Sequence, residues 1–154
     1  AAAGAQVTHV DASKGMVTWA KENAVSSGLG DAPIRWLVDD CVKFVEREIR
    51  RGNTYDAIIM DPPSYGRGPK GEIWKIEDMI HPLIKLCTKI LSKDALFFLV
   101  NSYTTGLAPA VLTYMISTEL KPWNGHVDSQ EIGLPVTDSG LVLPCGASGR
   151  WERD

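Results

Sequence analysis

The chain is poor in residues that staple, ligate or span. Its 154 residues include three cysteines, Cys41, Cys87 and Cys145, far apart and without a Cys-x-x-Cys pair. That spacing argues against a disulfide framework and a zinc site, and it suits a reducing compartment. The three histidines, His9, His81 and His126, are dispersed, so the sequence indicates neither a metal cluster nor a catalytic triad. No apolar run approaches the roughly 18 residues of a membrane helix, and no signal peptide is visible. A cytoplasmic protein with no membrane partner and no metal is therefore expected. Internal repeats, low-complexity tracts and domain linkers are lacking as well. The net charge is −3, which excludes a polyanion binder that works by bulk charge but leaves room for a local basic face.

What is present is an ordinary globular balance, 44% hydrophobic and 23% charged, enough for the core of one domain. Ala1-Ala-Ala-Gly-Ala5 reads as the last turn of a helix with a Gly cap, since Gly tolerates the left-handed conformation. The chain is accordingly expected to enter inside a longer protein, after at least one strand and one helix. An alternation follows. A strand over Gln6–Val10 leads to a helix over about Ser13–Ser27, with Met16, Val17, Ala20, Ala24 and Val25 at helical spacing. After a Gly/Pro loop come a strand over Ile34–Val38 and a helix over about Val42–Arg51 that buries Val42, Val45 and Ile49. A strand over Ala57–Met60 opens into a Pro/Gly loop. The spacing then predicts a helix over about Ile76–Leu91, with Pro82 in its first turn or kinking it. The strand Ala95–Val100 is apolar enough to be covered on both faces. A helix over about Ala108–Thr118 opens with Pro109. Gly125–Ile132 and Gly140–Gly146 form a hairpin. Repeated strand–helix units of this kind predict an α/β fold: a doubly wound, mostly parallel sheet with an antiparallel C-terminal hairpin.

Three strands finish in acids, Asp11, Asp39-Asp40 and Asp61, and in such folds ligands sit beyond the carboxyl ends of the strands. Asp11 with Ala12 stands where an acid can accept hydrogen bonds from ribose hydroxyls, or can cap the helix at Ser13. Asp40 and Cys41 could present a carboxylate to an adenine amino group and a backbone N–H to a ring nitrogen. Asp40 is equally suited to cap the next helix. Asp39 reads as a solvated neighbour. The most specific stretch is Asp61-Pro62-Pro63-Ser64-Tyr65. Its two prolines fix φ and remove two N–H donors, so a backbone carbonyl before or within the pair is expected to face outward, unpaired, as an acceptor for substrate. Tyr65 offers a flat face to a nucleobase, a stack worth roughly 1–3 kcal/mol. The competing reading is a rigid turn with Tyr65 packed inward. Arg67, Lys70 and Lys75 follow, as phosphate contacts or as solvated charge. Trp74 is the tryptophan nearest this loop.

An Asp-Pro-Pro-Ser-Tyr sequence after an apolar strand resembles the fourth motif of class I S-adenosylmethionine-dependent methyltransferases. It is most similar to that of the bacterial ribosomal RNA large-subunit methyltransferases of the Asp-Pro-Pro-x-Phe type. Val7–Lys14 with Trp19–Asn23 resembles that family's second strand and helix, and Asp39–Phe44 its third motif. The resemblance runs from Gln6 to about Leu107. It implies a Rossmann-like methyltransferase domain with S-adenosylmethionine as cofactor and RNA, ribosomal in particular, as substrate. By the same resemblance Asp11 and Ala12 meet the cofactor ribose and Asp40 and Cys41 its adenine. Asp61 with Pro62 and Pro63 meets the methionine end and the target base, beside Tyr65. The family's Gly-rich first motif would precede residue 1.

In relatives that methylate carbon 5 of cytosine, a cysteine nucleophile lies at about the position of Tyr103. Neither Leu99–Gly106 nor the Asp61 loop contains a cysteine. Cys41 and Cys87 look like small buried residues on helices. Direct transfer to a base nitrogen, which needs orientation and an acceptor, fits better than a covalent route. Two other classes remain open: an inactive methyltransferase-like module that binds RNA, and a dinucleotide-dependent oxidoreductase, which does not account for the Asp-Pro-Pro-Ser-Tyr loop.

Overall fold

The structure is a computed structural model and describes residues 1–68 and 71–154. Contacts divide it into two compact units, residues 1–51 and 52–154.

The first unit is a strand–helix–strand–helix run. Residues 1–5 form a turn closed by the Gly4 N–H on the Ala1 carbonyl at 2.8 Å. Gly4 takes φ 86° there, in the left-handed region that glycine permits. β1 (Val7–Asp11) pairs in parallel with β2 (Ile34–Val38), from Val7 opposite Ile34 to Asp11 opposite Val38. Asp11 is thus the last residue of the strand. α1 (Lys14–Ser26) connects the two strands. Ser13 caps α1 by accepting the Met16 N–H at 3.3 Å. Of the apolar positions expected to form its inner face, Val17 is buried and Ala20 and Ala24 are half-buried, while Met16 and Val25 are exposed. α2 (Cys41–Arg51) buries Phe44, Val45 and Glu48. Val42 and Ile49, expected inside, are only half-buried. Arg51, in the last turn of α2, is paired with the fully buried Glu48 carboxylate at 3.0 Å.

In the second unit, β3 (Ala57–Met60) pairs in parallel with β6 (Phe97–Ser102). β8 (Val142–Glu152) runs antiparallel to β6, and β7 (His126–Pro135) antiparallel to β8, giving the order β3-β6-β8-β7. α3 (Ile76–Thr88) makes the crossover from β3 to β6, and α4 (Pro109–Glu119) connects β6 to β7. Pro82 lies inside α3, beyond its first turn, and faces solvent. Ile80, Leu83, Ile84 and Cys87 of α3, Leu112 and Ile116 of α4, Phe98, Val100 and Trp151 make the core. β6 alternates: Phe98, Val100 and Ser102 are buried while Phe97 and Leu99 are half-buried, so within the described residues one face is better covered than the other.

Two features differ from the sequence reading. The Pro/Gly loop contains a small hairpin, β4 (Tyr65–Arg67) against β5 (Ile73–Lys75). The C-terminal hairpin is longer than expected, and β8 continues to Glu152, where Trp151 fills the core. A glycine lets β8 reach the end of β6: a Cβ on Gly146 would lie 2.2 Å from the Ser102 carbonyl oxygen.

Candidate active site

In the first unit the expected residues gather at the carboxyl ends of β1 and β2. One oxygen of the Asp11 carboxylate, Oδ1, accepts the Ser13 N–H at 2.6 Å. This turn fixes the side chain at the strand end, and no partner for Oδ2 is found among the described residues. Ala12 beside it is exposed. The Asp39 N–H bonds the Asp11 carbonyl at 3.0 Å, which ties the two strand ends together. Asp40 Oδ1 accepts the Lys43 N–H at 2.9 Å, so Asp40 does cap α2, with one oxygen. Asp39 is not a solvated neighbour; its carboxylate is ion-paired with Arg47.

Cys41 opens α2. It is exposed, unlike the buried Cys87, which corrects the expectation that both are small core residues. Its thiol lies 3.7 Å from the Val10 carbonyl. Partial burial of the thiol pushes its pKa up, and the Asp11 and Asp40 carboxylates push it further. Both carboxylates therefore act on one point, the start of α2, where backbone N–H groups of the first turn have no intrahelical acceptor.

The second unit places Asp61 directly after β3, exposed, with Pro62 half-buried and Pro63 exposed. Tyr65 is 51% exposed, which removes the reading of an inward-packed ring. Its hydroxyl accepts the Arg67 Nε–H at 2.9 Å. The Pro63 carbonyl is not free for substrate, as the sequence allowed; it accepts the Trp74 indole N–H at 2.6 Å. The Ser64 carbonyl accepts the Ile76 N–H at 3.1 Å. The Ser64 and Thr104 hydroxyls lie 2.7 Å apart, which joins the loop after β3 to the loop after β6. Thr104 is held in turn by its N–H on the buried Ser102 hydroxyl, at 3.2 Å. Tyr103, next to it, is 54% exposed. Two adjacent parallel strands thus end in one braced pair of loops with two exposed tyrosines.

No family model matches the chain. A solved S-adenosylmethionine-dependent methyltransferase from Agrobacterium tumefaciens superposes with a TM-score of 0.90 at 42% identity. The match covers all of this chain and 51% of that one. The chain has the fold of the S-adenosylmethionine-dependent methyltransferases. Among curated relatives, a ribosomal RNA large subunit methyltransferase K/L of Shewanella frigidimarina is 32% identical over 85 residues, 52% of this chain and 12% of the relative. A ribosomal RNA large subunit methyltransferase K of Neisseria meningitidis is 28% identical over 94 residues, 60% of this chain and 27% of the relative. The chain therefore spans a minor part of the curated relatives it matches.

Within this methyltransferase fold the basic residues near the loop divide. Arg67 is engaged with Tyr65, Lys75 at the end of β5 is exposed, and Lys70 lies outside the described residues. Trp74 and Thr104 are the site residues that sequence reasoning left without a role. Proximity to the loop marked Trp74, but nothing in the sequence pairs Thr104 with Ser64. Among the described residues no helix is long and apolar enough to cross a membrane.

Proposed function

We propose that the chain is the catalytic part of an S-adenosylmethionine-dependent methyltransferase that acts on a base of ribosomal RNA by direct transfer. The single observation that carries the reading is the Asp61–Tyr65 loop, exposed at the end of a parallel strand in a fold shared over the whole chain with a solved methyltransferase. Asp11 fits the cofactor, because Oδ1 is used in the local turn while Oδ2 is directed to no described group. The α2 N-terminus fits as well, with first-turn N–H donors beside the Asp40 carboxylate. When bound, S-adenosylmethionine supplies a methyl group on a sulfonium that reacts with an in-line nucleophile.

The chain's own residues bind and orient. Asp11 Oδ2 accepts from the ribose hydroxyls, and Asp40 with the Cys41 N–H meets the adenine edge. Asp61 and the Pro62 carbonyl accept hydrogen bonds from the target base, which fixes its nitrogen lone pair towards the methyl group. Tyr65 stacks on the base, its ring direction set by Arg67. Orientation of this kind supplies much of the rate when no covalent intermediate is formed. The lack of a cysteine in both loops favours this route over addition to a pyrimidine ring.

The test is tritium transfer from S-adenosylmethionine to large-subunit ribosomal RNA. Asp61→Ala is expected to lower turnover by about 10²-fold or more while leaving the melting temperature nearly unchanged, since Asp61 is exposed. Wild-type turnover by this variant would sink the assignment.

A further inference from the structure

We propose that Trp74 is a positioning residue: its indole N–H, donated to the Pro63 carbonyl, holds the Asp61–Tyr65 loop in the shape that presents the Pro62 carbonyl and the Tyr65 ring to the target base. This rests on the methyl-transfer reading above.

The need for such a brace follows from the loop's composition. Pro62 and Pro63 have no N–H, so neither can tie the loop down by donating a turn hydrogen bond. The restraint must come through acceptors, and the donors must come from elsewhere. The structure supplies two such donors and one hydroxyl pair. Trp74 Nε1 takes the Pro63 carbonyl at 2.6 Å, the Ile76 N–H takes the Ser64 carbonyl at 3.1 Å, and Thr104 meets the Ser64 hydroxyl at 2.7 Å. These fix the Pro63–Ser64 half of the loop. The Pro62 carbonyl has no partner among the described residues.

Trp74 is placed for this by the β4–β5 hairpin, in which it lies opposite Gly66. The hairpin lies against the prolines there: a Cβ on Gly66 would be in ordinary contact with Trp74 Cβ at 3.7 Å and Pro63 Cγ at 3.9 Å. Trp74 also sits two residues before Ile76, whose N–H holds Ser64, so one short segment, 74–76, grips both residues of the fixed half. The hairpin therefore works on the loop rather than on the base.

The experiment compares the wild-type protein with Trp74→Phe, which keeps a ring and removes the donor. The readouts are single-turnover methylation of large-subunit ribosomal RNA and hydrogen exchange of the peptide covering residues 61–68. The expected result is a transfer rate lower by about tenfold or more, with the KM for S-adenosylmethionine unchanged. Exchange in 61–68 rises, while α3 and β6 keep their protection. A wild-type rate with wild-type exchange overturns the proposal. So does a loss of protection throughout α3 and β6, which would make Trp74 a core residue and not a brace. If the wild-type protein transfers no methyl group, the functional reading falls by itself, and unchanged exchange in Trp74→Phe then removes the brace as well.

Discussion

The two groups of site residues are held in opposite ways. In the first unit each carboxylate is fixed by its own neighbourhood: Asp11 by the N–H two residues on, Asp40 by the N–H three residues on. In each, Oδ1 serves the local turn or cap, and the proposed cofactor site would use the other oxygen. In the second unit the prolines remove the local donors, and the loop is held from residues 11, 12 and 40 positions away. Local fixing makes each residue separable, whereas tertiary bracing makes the loop act as one piece. Single substitutions in the first unit should therefore give graded losses of cofactor affinity or stability, and those around the Asp61 loop should lower the transfer rate together.

The largest separable effect is expected at Asp11. Asp11→Ala removes both the proposed ribose acceptor and the turn, and should weaken S-adenosylmethionine binding by about 1.5–3 kcal/mol, roughly 10- to 100-fold by calorimetry. Asp11→Asn keeps an acceptor for the Ser13 N–H and removes the charge, so its loss should be smaller. Equal losses in the two variants would mean that the turn contributes nothing and that the charge alone matters. Unchanged binding in both would remove Asp11 from the cofactor site and end the comparison on that side.

This difference also explains how much could be read from the sequence. The strands and the acids at their ends were legible, because apolar runs stop at Asp11, Asp39 and Asp61 and the period changes with each helix. The Asp40 cap was legible as an alternative, since it depends on residues three apart, whereas α1 is capped by Ser13 and not by Asp11. The β4–β5 hairpin was not legible, because its strands are three residues long, too short to show alternation. The inner face of β8 was hidden for another reason. Ala147, Gly149 and Trp151 point inward, and the small residue is demanded by α4: a Cβ on Gly149 would lie 2.8 Å from Ile116 Cδ1 and 2.9 Å from Leu112 Cβ. The Trp74 bond and the Ser64–Thr104 pair depend on the folded chain alone. The identity of the Asp61–Tyr65 loop was therefore local information and its bracing was not.

A smaller effect is expected at Asp40. Asn caps a helix about as well as Asp, and Ala does not. Asp40→Ala should destabilise by about 1 kcal/mol, a shift of roughly 2–4 °C in melting temperature for a chain of this size. Asp40→Asn should melt like the wild type, with hydrogen exchange across α2 unchanged. A full loss in Asp40→Asn would show that the charge, and not the cap, holds the start of α2. That would erase the contrast between local and distant fixing.

The smallest effect reads the two carboxylates through a third group. The Cys41 thiol is held above its ordinary pKa by burial first, then by Asp11 and Asp40. The thiolate is the reactive form, so at neutral to mildly alkaline pH Cys41 should be alkylated by iodoacetamide more slowly than an unperturbed cysteine. Removing either negative charge lowers the pKa and raises the thiolate fraction. Asp11→Asn and Asp40→Asn should each speed alkylation, but only by a few-fold, since burial is the larger cause and neither change relieves it. Peptide mass spectrometry separates Cys41 from the buried Cys87 and the half-buried Cys145. Asp61→Asn gives the control: the transfer rate should fall with no change at Cys41. Equal acceleration by all three variants would show that they loosen the protein generally. Acceleration by the first two alone places Asp11 and Asp40 within electrostatic reach of one point, as a shared cofactor site requires.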